Sequence, residues 1–491
     1  MPPFSKTAKK MDDNKVIPGW ERPALSPRWH LRPNKGNGLV YRFSTDESRL
    51  VVVTMPEAIL LSLCNGFRTE TGIISLAAKV LECTPAEMEE SWEKLKQKNQ
   101  ESGPFIRENL DQSPQGLNMF QVYALLKNMV EYQPLPDVAH RLEVPLSLLI
   151  LPTFTCRADC IYCYAERPHV EKKDLLSEQR WLELLIEAGE MGIDLLTFSG
   201  GDPMLYPHIE SLLNKAAAYR MAFILPTKSL VTPQKARSIA ANLGPFGQVQ
   251  VSIDSFDTAI AAQMTRVPDY AFTALTSIKN LVREGVSVRT NTVITPLNYP
   301  GIELFVHQLY NLGVQRAHFT NYYRTHYRHT DTQFLSKEQM DDLNETIRRL
   351  KVELNWPQLK CNAGGDDFSQ PDPEKLRAWR TRTSCSGGFS SLSVLPDGKV
   401  VLCEQVPAQP PFVVGNLQKQ SISDVWNGAA LKAFVVPERA KFEGTPCEKC
   451  TEFDECHRLY GRCFRDAYFT FGSAFAPAPA CPYALPGMRM A

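Results

Sequence analysis

Between residues 145 and 320 the chain alternates six times between a short apolar run of strand character and a stretch of helical period. This alternation narrows the fold more than any other feature. The apolar runs are 146–151, 194–198, 222–225, 248–253, 286–294 and 316–320, and the helical patterns include 177–191, 209–219, 233–242, 271–284 and 301–312. Repeated β–α units predict an α/β fold with a parallel sheet, open or curled into a partial (β/α)6 barrel. In such folds ligands bind at the carboxyl ends of strands. Residues that directly follow an apolar run are therefore the first candidates for chemistry.

The thirteen cysteines are unevenly spread. Cys64 and Cys83 stand alone on apolar helix faces and read as packing residues. Cys156, Cys160 and Cys163 form a tight triplet just after the first apolar run, and eight more fall between Cys361 and Cys481. The count is odd, and the polar N-terminal residues lack the apolar core of a signal peptide. Such clusters then point to metal or redox chemistry rather than disulfides, and to the cytoplasm. No apolar stretch approaches the roughly 20 residues that span a bilayer. Lys+Arg and Asp+Glu both total 54, so no global charge argues for nucleic acid or an anionic membrane.

The triplet has spacing C-x3-C-x2-C. Three thiolates can hold three irons of a cubane and leave the fourth open. Closed zinc sites take four ligands, and electron-transfer cubanes take four cysteines. A structural zinc loop that borrows a distant ligand is the alternative. Next along the chain, Gly200 and Gly201 follow the second apolar run, where adjacent glycines let the backbone approach a ligand closely.

With Tyr162 just before the third cysteine, Cys156-x3-Cys160-x2-Cys163 resembles the signature of the radical S-adenosylmethionine (SAM) family. The resemblance implies a SAM-binding [4Fe–4S] cluster on these three residues, and reductive cleavage of SAM to a radical that takes a hydrogen from an unactivated C–H bond. Gly200-Gly201-Asp202-Pro203 resembles the family's Gly-Gly-Glu-Pro, which grips the methionyl amino group of SAM; here the acid is Asp. Ser252 and Asp254 resemble the family's Ser-x-Asp at the ribose and carboxylate of SAM, and Asn291 and Arg266 resemble weaker features. Thr227-Lys228-Ser229 stands where relatives often have Thr-Asn-Gly, a poor match.

The C-terminal cysteines follow Cys385-x12-Gly398-x4-Cys403, then Cys447-x2-Cys450-x5-Cys456-x6-Cys463-x17-Cys481. An Asp397-Gly398 turn between two short strands brings Cys385 and Cys403 together. This pattern resembles the SPASM extension of radical SAM enzymes that modify peptides. The resemblance implies two auxiliary clusters, for three [4Fe–4S] clusters in all. Cys447, Cys450, Cys456 and Cys481 would hold one. Cys385, Cys403 and Cys463 would hold the other, with a fourth ligand, such as Cys361, or an open iron. The gap from Cys456 to Cys463 is longer than the family's usual one. Two zinc ions on the same thiols, in a zinc-stabilised binding protein, form the non-enzymatic alternative.

Near the N-terminus, a hairpin (39–43 and 49–53) and three helices (56–64, 71–81 and 85–98) make a small winged-helix shape. Thr84 and Glu87 bracket a capping-box start. No basic stripe favours DNA, since Lys79, Lys94 and Lys96 alternate with Glu82, Glu87, Glu89 and Glu90. Leu50-Val-Val-Val53 and Ile59–Thr69 resemble the PqqD-like precursor-recognition domain, in which a leader peptide adds a strand to a sheet edge. The expected organisation is a flexible lead-in (1–37), a PqqD-like domain (38–100), a linker (101–143) with a helix near 119–132, a radical SAM partial barrel (144–345) and a SPASM domain (346–491).

Together these resemblances imply oxidative crosslinking, carbon–carbon or carbon–heteroatom, of a ribosomally made precursor peptide. An electron donor such as a flavodoxin or ferredoxin would serve it. The alternatives are peptide epimerisation and sulfatase-maturing type oxidation of Ser or Cys. The aromatic and basic stretch Asn321–His329 follows the sixth apolar run and is either a substrate contact or a polar surface loop. No catalytic acid or base stands out.

Overall fold

The computed structural model describes residues 20–26, 29–34, 37–42, 49–108, 141–165, 170–193, 195–219, 221–243, 247–323, 330–362, 377, 379–380, 385–457 and 461–484. The chain divides into two units, 1–137 and 138–491. The helix expected near 119–132 lies outside the described residues.

In the first unit, β1 (Pro23–Leu25), β2 (His30–Asn34), β3 (Asn37–Arg42) and β4 (Arg49–Val53) precede α1 (Met55–Ser62), α2 (Glu70–Val80) and α3 (Pro85–Ser102), and β5 (Ile106–Glu108) follows. β2, β3 and β4 form an antiparallel sheet, while β1 pairs with β5. Thr54 with Glu57, and Thr84 with Glu87, close capping boxes that start α1 and α3. Leu31, Val40, Val53, Leu60, Leu61 and Trp92 meet in the core.

The expected lead-in and linker need correction. β1 and β2 lie within 1–37, and β5 lies within 101–143. Trp29 and Leu31 are buried, and that burial pins β2. Pro33 pairs opposite Gly38 on an edge strand, where a missing N–H is tolerated.

In the second unit β6 (Ser147–Ile150), α4 (Glu178–Glu190), β7 (Leu195–Phe198), α5 (Ile209–Ala218), β8 (Ala222–Thr227), α6 (Pro233–Asn242) and β9 (Gln248–Ser252) follow in turn. Then come α7 (Thr258–Thr265), α8 (Tyr270–Arg283), β10 (Val288–Ile294), α9 (Ile302–Asn311), β11 (Arg316–Asn321), α10 (Lys337–Glu353) and β12 (Leu359–Asn362). β6 to β12 pair in chain order, all parallel. Sequential order belongs to a barrel-type sheet, whereas a doubly wound sheet reverses its order. The core between sheet and helices holds Trp181, Phe198, Phe223, Val249, Leu281 and Phe319.

The boundary drawn at 345/346 does not match the sheet. β12, expected in the C-terminal domain, is a seventh parallel strand beside β11. On the other side, β13 (Ser391–Val394) pairs parallel with β6, and β14 (Lys399–Val401) and β15 (Val413–Asn416) continue antiparallel. Without β13 the first barrel strand would present unpaired N–H and C=O groups. The cysteine-rich region is thus continuous with the barrel sheet. No described helix is long and apolar enough to cross a membrane.

Candidate active site

The cysteine triplet occupies the loop after β6, gripped from two sides. Gly201 and Asp202 donate backbone N–H bonds to Thr153 O (2.9 Å) and Thr155 O (2.7 Å). Asp159 and Ile161 donate to Thr265 O (2.9 Å) and Met264 O (3.0 Å) at the end of α7. Arg266, in the left-handed region at φ 58°, adds an ion pair to Asp159 at 2.8 Å. Burial pushes the Cys160 thiol up to about 11, against the pull of Lys228. Such a thiol becomes a ligand when metal displaces its proton.

The two glycines serve this loop. A Cβ on Gly200, at φ 109°, would meet Thr153 O at 2.4 Å, and one on Gly201 would meet Thr155 O at 2.1 Å. Both contacts are with backbone, so no side-chain movement relieves them. We expect Gly201→Ala to displace the cysteine loop, to lower the iron of reconstituted protein by at most one cluster's share, about four irons, and to cut SAM cleavage by at least about tenfold, a loss of about 1.4 kcal/mol in loop docking. Iron analysis and 5′-deoxyadenosine assay check it.

The expected SAM contacts fall into two groups. The Asp202 carboxylate is 2 % exposed and committed to protein. It accepts from Met204 N (3.1 Å), Thr227 Oγ1 (3.0 Å), Lys228 N (3.0 Å) and Ser229 Oγ (2.8 Å). Those bonds fill the roughly four acceptor positions of a carboxylate. Asp254, also 2 % exposed, accepts from Val293 N (3.0 Å) and from the Tyr162 hydroxyl, and pairs with Lys228 Nζ at 3.8 Å. Both acids tie strand-end loops together at this end of the sheet. Pro203 opens a one-turn helix capped by Asp202. Ser252 and Asn291 sit in register on adjacent strands β9 and β10, and no hydrogen bond of either side chain is found among the described residues.

Lys228, at the poorly matching strand end, is a residue that sequence reasoning passed over. Its Nζ donates to Tyr162 Oη (3.1 Å) and Ser252 O (3.2 Å) and lies 4.8 Å from the Tyr270 ring centroid. Burial works against the ammonium, yet Tyr270, Cys160 and Asp254 hold its pKa above the ordinary value. The chain thereby places an ammonium group beside the cysteine loop.

The auxiliary thiols also converge. Cys447, Cys450, Cys456 and Cys481 line one cavity with Trp379 and Phe453. Burial pushes Cys447 up to about 12, and Cys481 and Cys456 add to it. Cys385 and Cys403 lie at the outer ends of the β13–β14 hairpin, and Gly398 at φ 79° makes its turn. Cys463 caps the helix Phe464–Phe471, its Sγ accepting from Asp466 N at 3.5 Å, and Cys403 Sγ accepts from Gln405 N at 3.5 Å. Burial pushes Cys403 up to about 11 and Cys463 up to about 12, with Cys385 contributing to both. Cys361 instead packs half-buried against the barrel core on β12, opposite Phe319. Among the described residues no three His, Cys, Asp or Glu could hold one metal ion.

Glu404, next to Cys403, was also missed. Its carboxylate accepts from Ser199 Oγ, which lies 3.3 Å from Tyr164 Oη. It lines a cavity with Leu151, Phe154, Tyr164, Gly200 and Val406. Burial pushes the Glu404 carboxyl up, partly countered by the hydrogen bonds from Ser199 and Tyr164. A lone Glu beside a cysteine carries no local signal; only the pairing of β13 with β6 brings it to the glycine loop. Of the aromatic stretch, Tyr322 is buried and Tyr323 lies under the Arg465 guanidinium, while 324–329 fall outside the described residues.

Comparison with known proteins agrees with this geometry. Residues 150–307 match the radical SAM superfamily, and residues 385–451 match the SPASM iron–sulfur cluster-binding domain. The PqqA peptide cyclase of Granulibacter bethesdensis is 23% identical over 353 residues, covering 69% of this chain and 88% of that protein. Streptococcus suis SuiB bound to precursor peptide SuiA superposes with a TM-score of 0.65 at 17% identity, over 94% of this chain and 99% of that one. SuiB bound to S-adenosylmethionine gives 0.64 at 16% identity, over 93% of this chain and 99% of that one. At these identities the structural likeness speaks for the fold. With the triplet, the glycine loop and the gathered auxiliary thiols in place, the chain is a radical SAM enzyme that carries a SPASM iron–sulfur cluster-binding domain.

Proposed function

We propose that the enzyme introduces a crosslink into a ribosomally synthesised precursor peptide. The observation that carries this reading is the juxtaposition of the triplet loop on β6 with the thiol-bearing hairpin on β13, through one shared sheet. Relatives named as PqqA peptide cyclases match over 69% of this chain, and SuiB, solved with a precursor peptide, supports the same class of substrate.

In this reading Cys156, Cys160 and Cys163 hold the SAM-binding cluster. Cys447, Cys450, Cys456 and Cys481 hold one auxiliary cluster, and Cys385, Cys403 and Cys463 the other. Bound there, cluster and SAM supply a radical that takes a hydrogen atom from an unactivated C–H bond. Gly200 and Gly201 let the SAM-side loop close on the cysteine loop. Ser252 and Asn291 offer hydrogen-bonding groups to SAM from the strand ends. After hydrogen abstraction the peptide must lose one electron and one proton as the new bond forms; an auxiliary cluster would take the electron, and Glu404, whose carboxyl burial holds above the ordinary carboxylate value, accepts the proton. The PqqD-like region of the first unit (38–100) binds the leader on a sheet edge. A flavodoxin or ferredoxin of the cytoplasm delivers electrons.

The test is anaerobic reaction of iron-reconstituted enzyme with SAM, dithionite and the short peptide encoded beside this chain. A product lighter by two hydrogens, with a new linkage in its fragment ions, is expected. Unchanged mass, or an aldehyde in place of a linkage, overturns the crosslinking assignment.

A further inference from the structure

The segment between Cys456 and Cys463 ends in Arg462. This guanidinium is 3 % exposed. Its Nη atoms donate to the carbonyls of Ala476 (3.0 Å) and Ala474, on the stretch that leads to Cys481. Its Nε finds no hydrogen-bond partner, and the guanidinium has no carboxylate partner among the described residues. The rings of Phe442 and Phe464 lie 4.9 and 5.0 Å from it. A buried cation so poorly compensated is costly, by several kcal/mol as a rule.

What surrounds Arg462 is sulfur. It lines the cavity of Cys447, Cys450, Cys456 and Cys481, and it directly precedes Cys463. Gly461, at φ 61°, lets this segment run beside Cys385, whose Cβ would lie 3.5 Å from a Cβ on Gly461. Cys447, Cys456, Cys463 and Cys385, thiols from both sets, lie close enough to act on the charge of the guanidinium.

We propose that Arg462 is the shared counter-ion of the two auxiliary iron–sulfur clusters, balancing the negative charge of both thiolate-ligated centres and raising both reduction potentials together. The potential of such a centre depends on its net charge, on hydrogen bonds and on exposure to solvent. Each one-electron reduction adds a negative charge, which a fixed cation between the centres favours. Arg462 acts through the clusters and not on substrate, so it is a positioning residue for charge. The inference rests on both thiol sets holding clusters, which iron analysis of wild-type enzyme tests on its own.

The experiment is a redox titration of reconstituted full-length enzyme with dithionite, followed by electron paramagnetic resonance, on wild type, Arg462→Gln and Arg462→Lys. The SAM-responsive signal serves as internal control. In Arg462→Gln we expect both auxiliary midpoints to fall, so that the reduced fraction relative to oxidised drops at least about tenfold at fixed potential, or about 59 mV for a one-electron couple. The control signal stays put. Arg462→Lys keeps the charge but loses the two-pronged grip on Ala474 and Ala476, and restores both midpoints with full iron. Unmoved midpoints, or movement of one auxiliary centre alone, overturn the proposal. If Arg462→Gln loses auxiliary iron, Arg462→Lys decides. Full iron with wild-type midpoints supports the charge, and iron loss in Lys as in Gln assigns Arg462 a purely structural grip.

Discussion

Replacing Cys156, Cys160 and Cys163 together by alanine takes 5′-deoxyadenosine formation down to background, a loss of at least about 10⁶-fold, the lower end of what enzymes contribute to rate. The reason is chemical: no other described side chain of the β6 loop offers iron a comparable ligand, and the radical reaction has no route without the cluster. The loop itself should survive. Its anchors are backbone hydrogen bonds to Thr153, Thr155, Thr265 and Met264, none of which uses a thiol. The auxiliary sets belong to the β13–β14 hairpin and the segments beyond it, so they keep their iron. At four irons per cubane, content should fall from about twelve to about eight per chain. Retained 5′-deoxyadenosine formation in the triple variant would remove the basis for SAM chemistry at this loop. Loss of all iron would show that the sets do not assemble independently.

Glu404→Gln separates the two halves of the reaction. The amide keeps the shape and a hydrogen bond to Ser199, but it cannot take a proton. Peptide modification should fall by about 10²–10⁴-fold, the usual contribution of a positioned base. Formation of 5′-deoxyadenosine should continue and become uncoupled from product. A pH profile provides the second readout. Burial holds the Glu404 carboxyl above the ordinary carboxylate range. A base works only when deprotonated, so the wild-type modification rate rises as pH climbs through that raised pKa and falls on the acid side. Glu404→Gln loses this acid limb and leaves a flatter, low profile. Equal loss of both products in the variant would place Glu404 in SAM binding through Ser199. An unchanged profile would remove it from proton transfer.

Much of this architecture was legible before any coordinates. Six β–α periods announced a parallel sheet, and the strands and helices fall within a few residues of where periodicity put them. The reason is that apolar spacing and caps such as Thr84 with Glu87 act over one turn or one strand. The cysteine sets were legible for a similar reason, since ligands for one centre can sit within a short loop or flank one hairpin.

The remaining features depended on pairings distant in the chain. β2 was hidden because Pro33 and its polar neighbours resemble loop, and only burial of Trp29 and Leu31 makes it a strand. Asp202 and Asp254 stood out by their positions after apolar runs, but their protein partners, from β8 to β10 and from Tyr162, are displayed by no local motif. Local spacing thus determined which cysteines gather into sets and which loops follow the strand ends. Tertiary structure alone decided that the C-terminal hairpin completes the barrel sheet, that Glu404 reaches the glycine loop, and that Arg462 lies among two sets of sulfurs. Each of those follows from non-local pairing and burial, whose free energy is realised only when distant segments meet.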